Sequence, residues 1–376
     1  MSPQESSNDR LLKRLLHRYY SLRPLAEPVY LPKREIAIYS LEDKVYIRHL
    51  SFPSMTMLYK YILEKKTPLH LYYSSAYYED PSADTMESKN WLGSDLIFDI
   101  DADHYPGCGS ILSICISTGE VVEDKIKKCS DDTKPIHYQL ISFDCIKRGW
   151  RDAQTLTSIL KDDLGYRDIE ILFSGNRGFH IHVFDDVAKK LDRDERRQIV
   201  EYITLKGIDV EKIFPPIGRR SYVYFTDHEV GWRKRVFEEL RARGLITQSM
   251  KIYRARLDDV MAVINELSLN IDPVVTMDTS RLSRFTYSIN GKSGLIVTPM
   301  KMDAGIDEYN YLDFSPWEGS ISVKPLITIS GLPVLDEKID LKKGVNIEID
   351  ATRGLYLALK GLVVINRIEG VEVKNV

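Results

Sequence analysis

With 376 residues, an apolar share of 43% beside 28% charged residues and a net charge of -3, the chain can bury a sizeable core and is too apolar to stay disordered. No apolar run reaches the length of a membrane span, and the polar start Met1, Ser2, Pro3, Gln4, Glu5 lacks the basic and apolar regions of a secretory leader, so a cytoplasmic setting without membrane contact is expected. Four cysteines, Cys108, Cys115, Cys129 and Cys145, would stay reduced there, which favours thiol or metal chemistry over disulfides.

In chain order, Leu11, Leu12, Leu15, Leu16 and Tyr19 recur at helical spacing over residues 8–20, with Asn8 or Asp9 as the cap. Residues 35–40, 69–73 and 95–101 read as strands, with a helix at 55–65 between the first two. A cysteine-bearing stretch without period follows at 108–129, then a helix at 152–164. Strands at 169–173 and 179–184 flank Ser174, Gly175, Asn176, Arg177, Gly178, whose glycines permit a tight hairpin turn. Helical patterns at 194–206, 228–243 and 257–267 are interrupted by Pro215 and Pro216, which predicts an inserted helical module at 215–270. Short strands return at 294–298, 320–329 and 345–349, before an apolar segment at 355–362. The fold class expected is mixed α/β (α+β), with a core made of 1–214 and 271–376 around that insertion.

Charge is uneven. Residues 212–256 hold eleven Lys and Arg against four Asp and Glu, a local balance of +7, so the rest carries -10. Such a segment suits either a polyanion or a solvated helical face, since Arg233, Lys234, Arg235, Arg241 and Arg243 also fit an exposed helix.

The densest chemistry lies in Leu96, Ile97, Phe98, Asp99, Ile100, Asp101, an apolar strand that ends in two acids. Side chains alternate along a strand, so both carboxylates share one face about 6.6 Å apart. Two anions held that close favour either a proton or a divalent cation with oxygen ligands. Acids also cap helices and close strands, so this pair alone leaves a structural role open. The turn 174–178 leading into His180 offers N–H groups, a hydroxyl, a guanidinium and an imidazole for phosphate oxygens, although His180 also suits a core position. Downstream, Asp272 opens a segment in which Arg281, Arg284 and Lys292 gather near a Gly291, Lys292, Ser293, Gly294 turn, either for phosphate or to balance nearby acids. Together the three clusters supply what two-metal nucleotidyl transfer needs, with no protein nucleophile.

These residues carry a resemblance. Asp99, Ile100, Asp101 with Asp103 and His104, the 174–180 turn and strand, and Gly291, Lys292, Ser293, Gly294 resemble, in order and spacing, the small catalytic subunit of archaeal and eukaryotic DNA primase, the archaeal branch above all. Residues 46–52, 69–76, 91–95 and 145–149 extend it over nearly the whole chain outside the insertion. The resemblance implies a template-directed RNA polymerase that makes primers on single-stranded DNA from NTPs, with dNTP use a further option, Mg²⁺ or Mn²⁺ as cofactor, and a large primase subunit as partner. By position it puts metal-binding acids at Asp99, Asp101 and Asp272, with Asp278 the competitor for the third. It puts triphosphate contacts at Ser174, Arg177, His180 and Arg284, with Lys292 beside them. Asn290 departs from the family's histidine, so a phosphate contact there would be weakened or made through the amide.

The family also carries a small zinc module after the acidic strand. In this chain Cys108, Cys115 and Cys129, within residues 104–145, would supply it, with His104, Asp132 or His137 completing four ligands and Cys145 left as a buried thiol. Two rival readings are a haloacid-dehalogenase-type phosphatase, in which Asp99 would be a nucleophile, and a silent nucleic-acid-binding subunit that uses the basic segment. The first expects Thr or Val where Asp103 stands; the second leaves the acids unexplained.

Overall fold

The computed structural model describes residues 7–218 and 221–374; the polar start lies outside them. Two four-stranded antiparallel sheets build the centre. One runs in the order Thr298–Met300, Ile169–Phe173, Gly178–Val183, Leu96–Asp101, and the other Leu282–Arg284, Pro68–Ser74, Ile36–Ser40, Tyr46–Leu50.

Alternation explains why the acidic strand sits where it does. Leu96, Phe98 and Ile100 are fully buried on one face, against the helix Phe143–Ser158 and its Ile146, Trp150 and Ala153, whereas Asp99 and Asp101 stand on the opposite, half-buried face. That helix begins earlier than the 152–164 pattern indicates and runs on through a wider turn at Ile159–Asp163. The hairpin partner is in register, with His180 opposite Asp99 and Gly178 opposite Asp101. Gly178 has no substitute there, because a Cβ would collide with the carbonyl oxygen of Ile100.

The second sheet packs with the opening helix Ser7–Ser21 and with a C-terminal layer. In that layer Trp317–Pro325 pairs with Ile347–Asp350 and Val363–Arg367, under the helix Ala351–Leu359. The apolar run near residues 355–362 therefore forms the buried face of a helix that ends in a strand.

The 215–270 segment differs from the helical expectation. It carries helices Gly231–Ala242 and Leu257–Leu267, but also a three-stranded antiparallel sheet of Tyr222–Phe225, Ile252–Arg256 and Thr247–Ser249. Alternating burial in Ile252–Arg256, with only Tyr253 and Ala255 inside, marks that strand, and its flanking charges masked it. Phe225, Trp232, Phe237 and Tyr253 join the same core as Phe98, so the insertion shares its interior with the acidic sheet.

The cysteine-bearing stretch forms a small sheet of Val121–Val122, Ser110–Ile114 and Ile136–Leu140. Its thiols are not free. Cys108 is bonded to Cys145 and Cys115 to Cys129, with Cα separations of 6.1 and 5.9 Å. This corrects both the expected zinc ligation by Cys108, Cys115 and Cys129 and the reading of Cys145 as a buried thiol: a sulfur held in a disulfide has no thiolate to offer a metal. Intracellular proteins of hyperthermophilic archaea keep disulfides, so the pairing does not by itself decide the compartment. No helix among the described residues is long and apolar enough to cross a membrane.

Candidate active site

Asp99, Asp101, Ser174, Arg177, His180, Arg284 and Lys292 line one cleft of about 230 Å³, together with Tyr72, Asn176 and Arg281. Four sequence-distant segments meet there because the hairpin pairs with the acidic strand and Leu282–Arg284 pairs with Pro68–Ser74.

The turn is held by its own polar groups. Ser174 N–H donates to the Gly178 carbonyl at 2.9 Å, Gly178 N–H donates to Ser174 Oγ at 3.2 Å, and Gly175 takes a left-handed φ of 71°. Asn290 clamps it from the other side. Its amide donates to the Ser174 carbonyl at 2.8 Å and its Oδ1 accepts the Lys292 N–H at 3.0 Å. The buried Asn290 amide is thus engaged in joining two turns.

Arg177 forms a forked pair with Asp101, at 2.9 Å from Nη2 and 3.2 Å from Nε, and its Nη1 lies 2.7 Å from Asp103 Oδ2. Gln139 Nε2 donates to the same Asp103 oxygen at 2.7 Å, so Asp103 fixes the guanidinium. Arg177 is thus the cation paired directly with Asp101. Asp99 receives less compensation. Burial, with Asp272 adding to it and Arg281 opposing it, pushes its carboxyl up to about 6; burial and Asp99 also raise that of Asp101. His180 Nε2 lies 3.7 Å from Asp99, and burial together with Arg284 lowers its pKa to about 4, so the ring is neutral near pH 7.

Asp272 reaches this site through the backbone: its N–H donates to the Asp99 carbonyl at 3.1 Å, while its side chain caps the short helix Pro273–Met277 by accepting the Val274 N–H at 2.9 Å. Asp278 instead binds the N–H and hydroxyl of Ser280, at 2.9 and 2.8 Å. Donor atoms within 4.8 Å of one another are those of Asp101, Asp103 and His104, a tighter group than Asp99, Asp101 and Asp272.

Sequence reasoning missed two histidines. His70 Nδ1 accepts from Arg284 at 2.9 Å and from the Gly291 N–H at 3.2 Å, which aims Arg284 across the Tyr72 ring. His182 lies two residues beyond His180 on the same face, stacked on it, with Ser283 Oγ 2.9 Å from its Nε2. Period-two alternation would have found His182; only a contact across 214 residues reveals His70.

Three arginines of the basic segment are taken up in ion pairs within the protein. Arg233 is paired with Glu229, Arg235 with Asp163, and Arg243 with Glu239 and Glu266. Arg219 and Arg220 lie outside the described residues.

Comparison with known proteins is consistent with this geometry. The family model for the DNA primase small subunit matches residues 139–302. The DNA primase small subunit PriS of Staphylothermus marinus is 53% identical over 380 residues, covering 100% of both chains. The chain belongs to the DNA primase small subunit family. PriS of Saccharolobus islandicus is 37% identical over 94% of each chain. Among solved structures, the polymerase domain of Mycobacterium tuberculosis ligase D in complex with DNA covers 82% of this chain, with a TM-score of 0.36 and 10% identity. As a primase small subunit the chain is a nucleotidyltransferase of primer synthesis, and the phosphatase and silent-subunit readings fall.

Proposed function

We propose that the cleft is the nucleotidyl-transfer centre of this primase chain, working on NTPs, with dNTPs as a second substrate class, against a single-stranded DNA template and beside a large primase subunit. The observation that carries it is the placement of Asp99 and Asp101 on one strand face, directly across the hairpin from His180 and the 174–178 turn. The donors are hard carboxylate oxygens, two of them on one half-buried strand face, which fits Mg²⁺ or Mn²⁺. Asp99, Asp101 and Asp272 would hold the cation, which when bound supplies Lewis acidity toward the 3′-hydroxyl and neutralises charge on the leaving group. The cysteine module does not fit zinc and enters no step.

Ser174 and the turn N–H groups orient the triphosphate, neutral His180 donates one N–H to it, and Arg284, aimed by His70, and Lys292 contribute charge. Arg177, paired with Asp101 and Asp103 at the edge of the cleft, would add positive charge beside the triphosphate. Arg233 and Arg235 are not assigned to nucleic acid, because their guanidiniums are taken up within the protein.

The test is primer synthesis by the purified chain, with and without the large subunit, on single-stranded DNA with labelled NTPs and Mg²⁺ or Mn²⁺. Asp101→Ala is expected to lower the rate at least about 100-fold. Absence of template-dependent products from every wild-type sample would sink the proposal.

A further inference from the structure

A second cavity, of about 530 Å³, adjoins the cleft and shares Asn176, Arg177 and Lys292 with it. Asp99, Asp101, Ser174 and His180 do not line it, so the two spaces meet at Asn176, Arg177 and Lys292. The lining also takes in Lys360, the C-cap of the helix Ala351–Leu359, and the strand Ile136–Leu140.

Lys292 and Lys360 stand there against one lining carboxylate, Arg177 being already paired with Asp101 and Asp103. Lys360 lies over the Tyr356 ring at 4.7 Å, and the charges acting on it are those of Lys292 and Arg177. Burial and these two neighbours bring its pKa down to about 8. The one carboxylate in the lining, Asp336, is turned to the Phe143 N–H at 2.9 and 3.2 Å. A water-accessible cavity with such an excess attracts a small polyanion.

In-line displacement decides which one. The 3′-oxygen attacks the α-phosphorus from the side of the acids and forms the new P–O bond; the bond from that phosphorus to the β-bridging oxygen breaks, its electron pair stays on that oxygen, and the hydroxyl proton passes to solvent. The leaving group departs opposite the attacking oxygen, and Arg177 and Lys292 form the edge that the cleft shares with the cavity. We propose that this cavity receives inorganic pyrophosphate as it leaves the nucleotide, with Lys360 as the receiving cation. The inference rests on the nucleotidyl-transfer reading above.

Calorimetric titration of the full chain with sodium pyrophosphate in metal-free buffer reads the cavity without any chemistry. Lys360→Gln is expected to weaken pyrophosphate about tenfold, the loss of one charge-assisted contact, and Lys360→Arg to restore it. Arg284→Gln, which alters the cleft but not the cavity, is expected to leave pyrophosphate affinity within about twofold and to raise the NTP KM. In primer synthesis, Lys360→Gln is expected to raise the pyrophosphate inhibition constant about tenfold with less than a twofold change in NTP KM. Unchanged pyrophosphate binding in Lys360→Gln, equal loss in the Gln and Arg variants, or a parallel rise of KM and inhibition constant overturns the proposal. A wild-type chain that makes no primers yet binds pyrophosphate through Lys360 would overturn the nucleotidyl-transfer reading and leave the anion site standing.

Discussion

Asp99 meets two opposed demands. Its strand buries it for the sake of Phe98 and Ile100, and burial favours the protonated carboxyl, raised to about 6. Since the folded value lies above the unfolded one, near 4, the contribution of Asp99 to stability is full below pH 4 and is lost as pH rises through about 6. Asp99→Asn is therefore expected to stabilise the metal-free protein at pH 7 by about 1–2 kcal/mol, seen as a higher thermal midpoint, while abolishing primer synthesis. Cation binding runs the other way, because it needs the ionised carboxylate. Mn²⁺ affinity is expected to rise about tenfold between pH 5 and pH 7, and a flat profile would remove Asp99 from the cation site. Asp99 and Asp101 were legible from alternation alone; His70 was not, because its contact with Arg284 depends on a pairing far along the chain.

Among the elements, the acidic strand is anchored at its start. Asp95, next to Leu96, forms a fully buried pair with Arg34 at 2.7 Å and accepts the Tyr77 hydroxyl at 2.6 Å, while Arg196 donates to the Asp95 and Ser94 carbonyls at 3.1 and 2.9 Å. Breaking one side leaves an uncompensated buried charge, so Arg34→Met should cost about 3–5 kcal/mol in denaturant unfolding. A loss below about 1 kcal/mol would show the pair to be dispensable. The cysteine module is stapled in another way: Cys108–Cys145 ties it to the helix Phe143–Ser158 across 37 residues, and Cys115–Cys129 closes a 14-residue separation within it. Elemental analysis is expected to find no bound zinc and thiol titration in denaturant no free cysteine, with reduction costing about 3–4 kcal/mol per bridge. One equivalent of zinc would reverse this correction. Cysteine spacing could not distinguish the outcomes, because pairing depends on which Cα atoms approach to about 6 Å.

Across the whole molecule, the site is assembled from four sequence-distant segments. The insertion returns through Ile271 into the core and delivers the Asp272 N–H to Asp99, whereas Asp278, six residues on, turns to Ser280. Asp272→Asn is accordingly expected to reduce primer synthesis at least about 100-fold and Asp278→Asn less than about threefold. The reverse ranking would move the third acid. The same closure brings the 290–294 turn onto the 174–178 turn through Asn290, and Lys360 joins the lining of the adjoining cavity.

Local patterning was enough for the paired acids, the hairpin turn, the helices at 7–21, 55–64 and 257–267 and the family, because periodicity and spacing are properties of neighbouring residues. Tertiary structure alone decided three matters: the disulfides in place of a zinc site, the small sheet inside the insertion, and the neutralisation of Arg233 and Arg235. Each depends on which distant groups come within a few ångströms, and charge counts and residue types are blind to that distance. The same holds for Asp101, whose ionisation is set by burial and by Asp99 and Arg177, groups that only folding gathers around it.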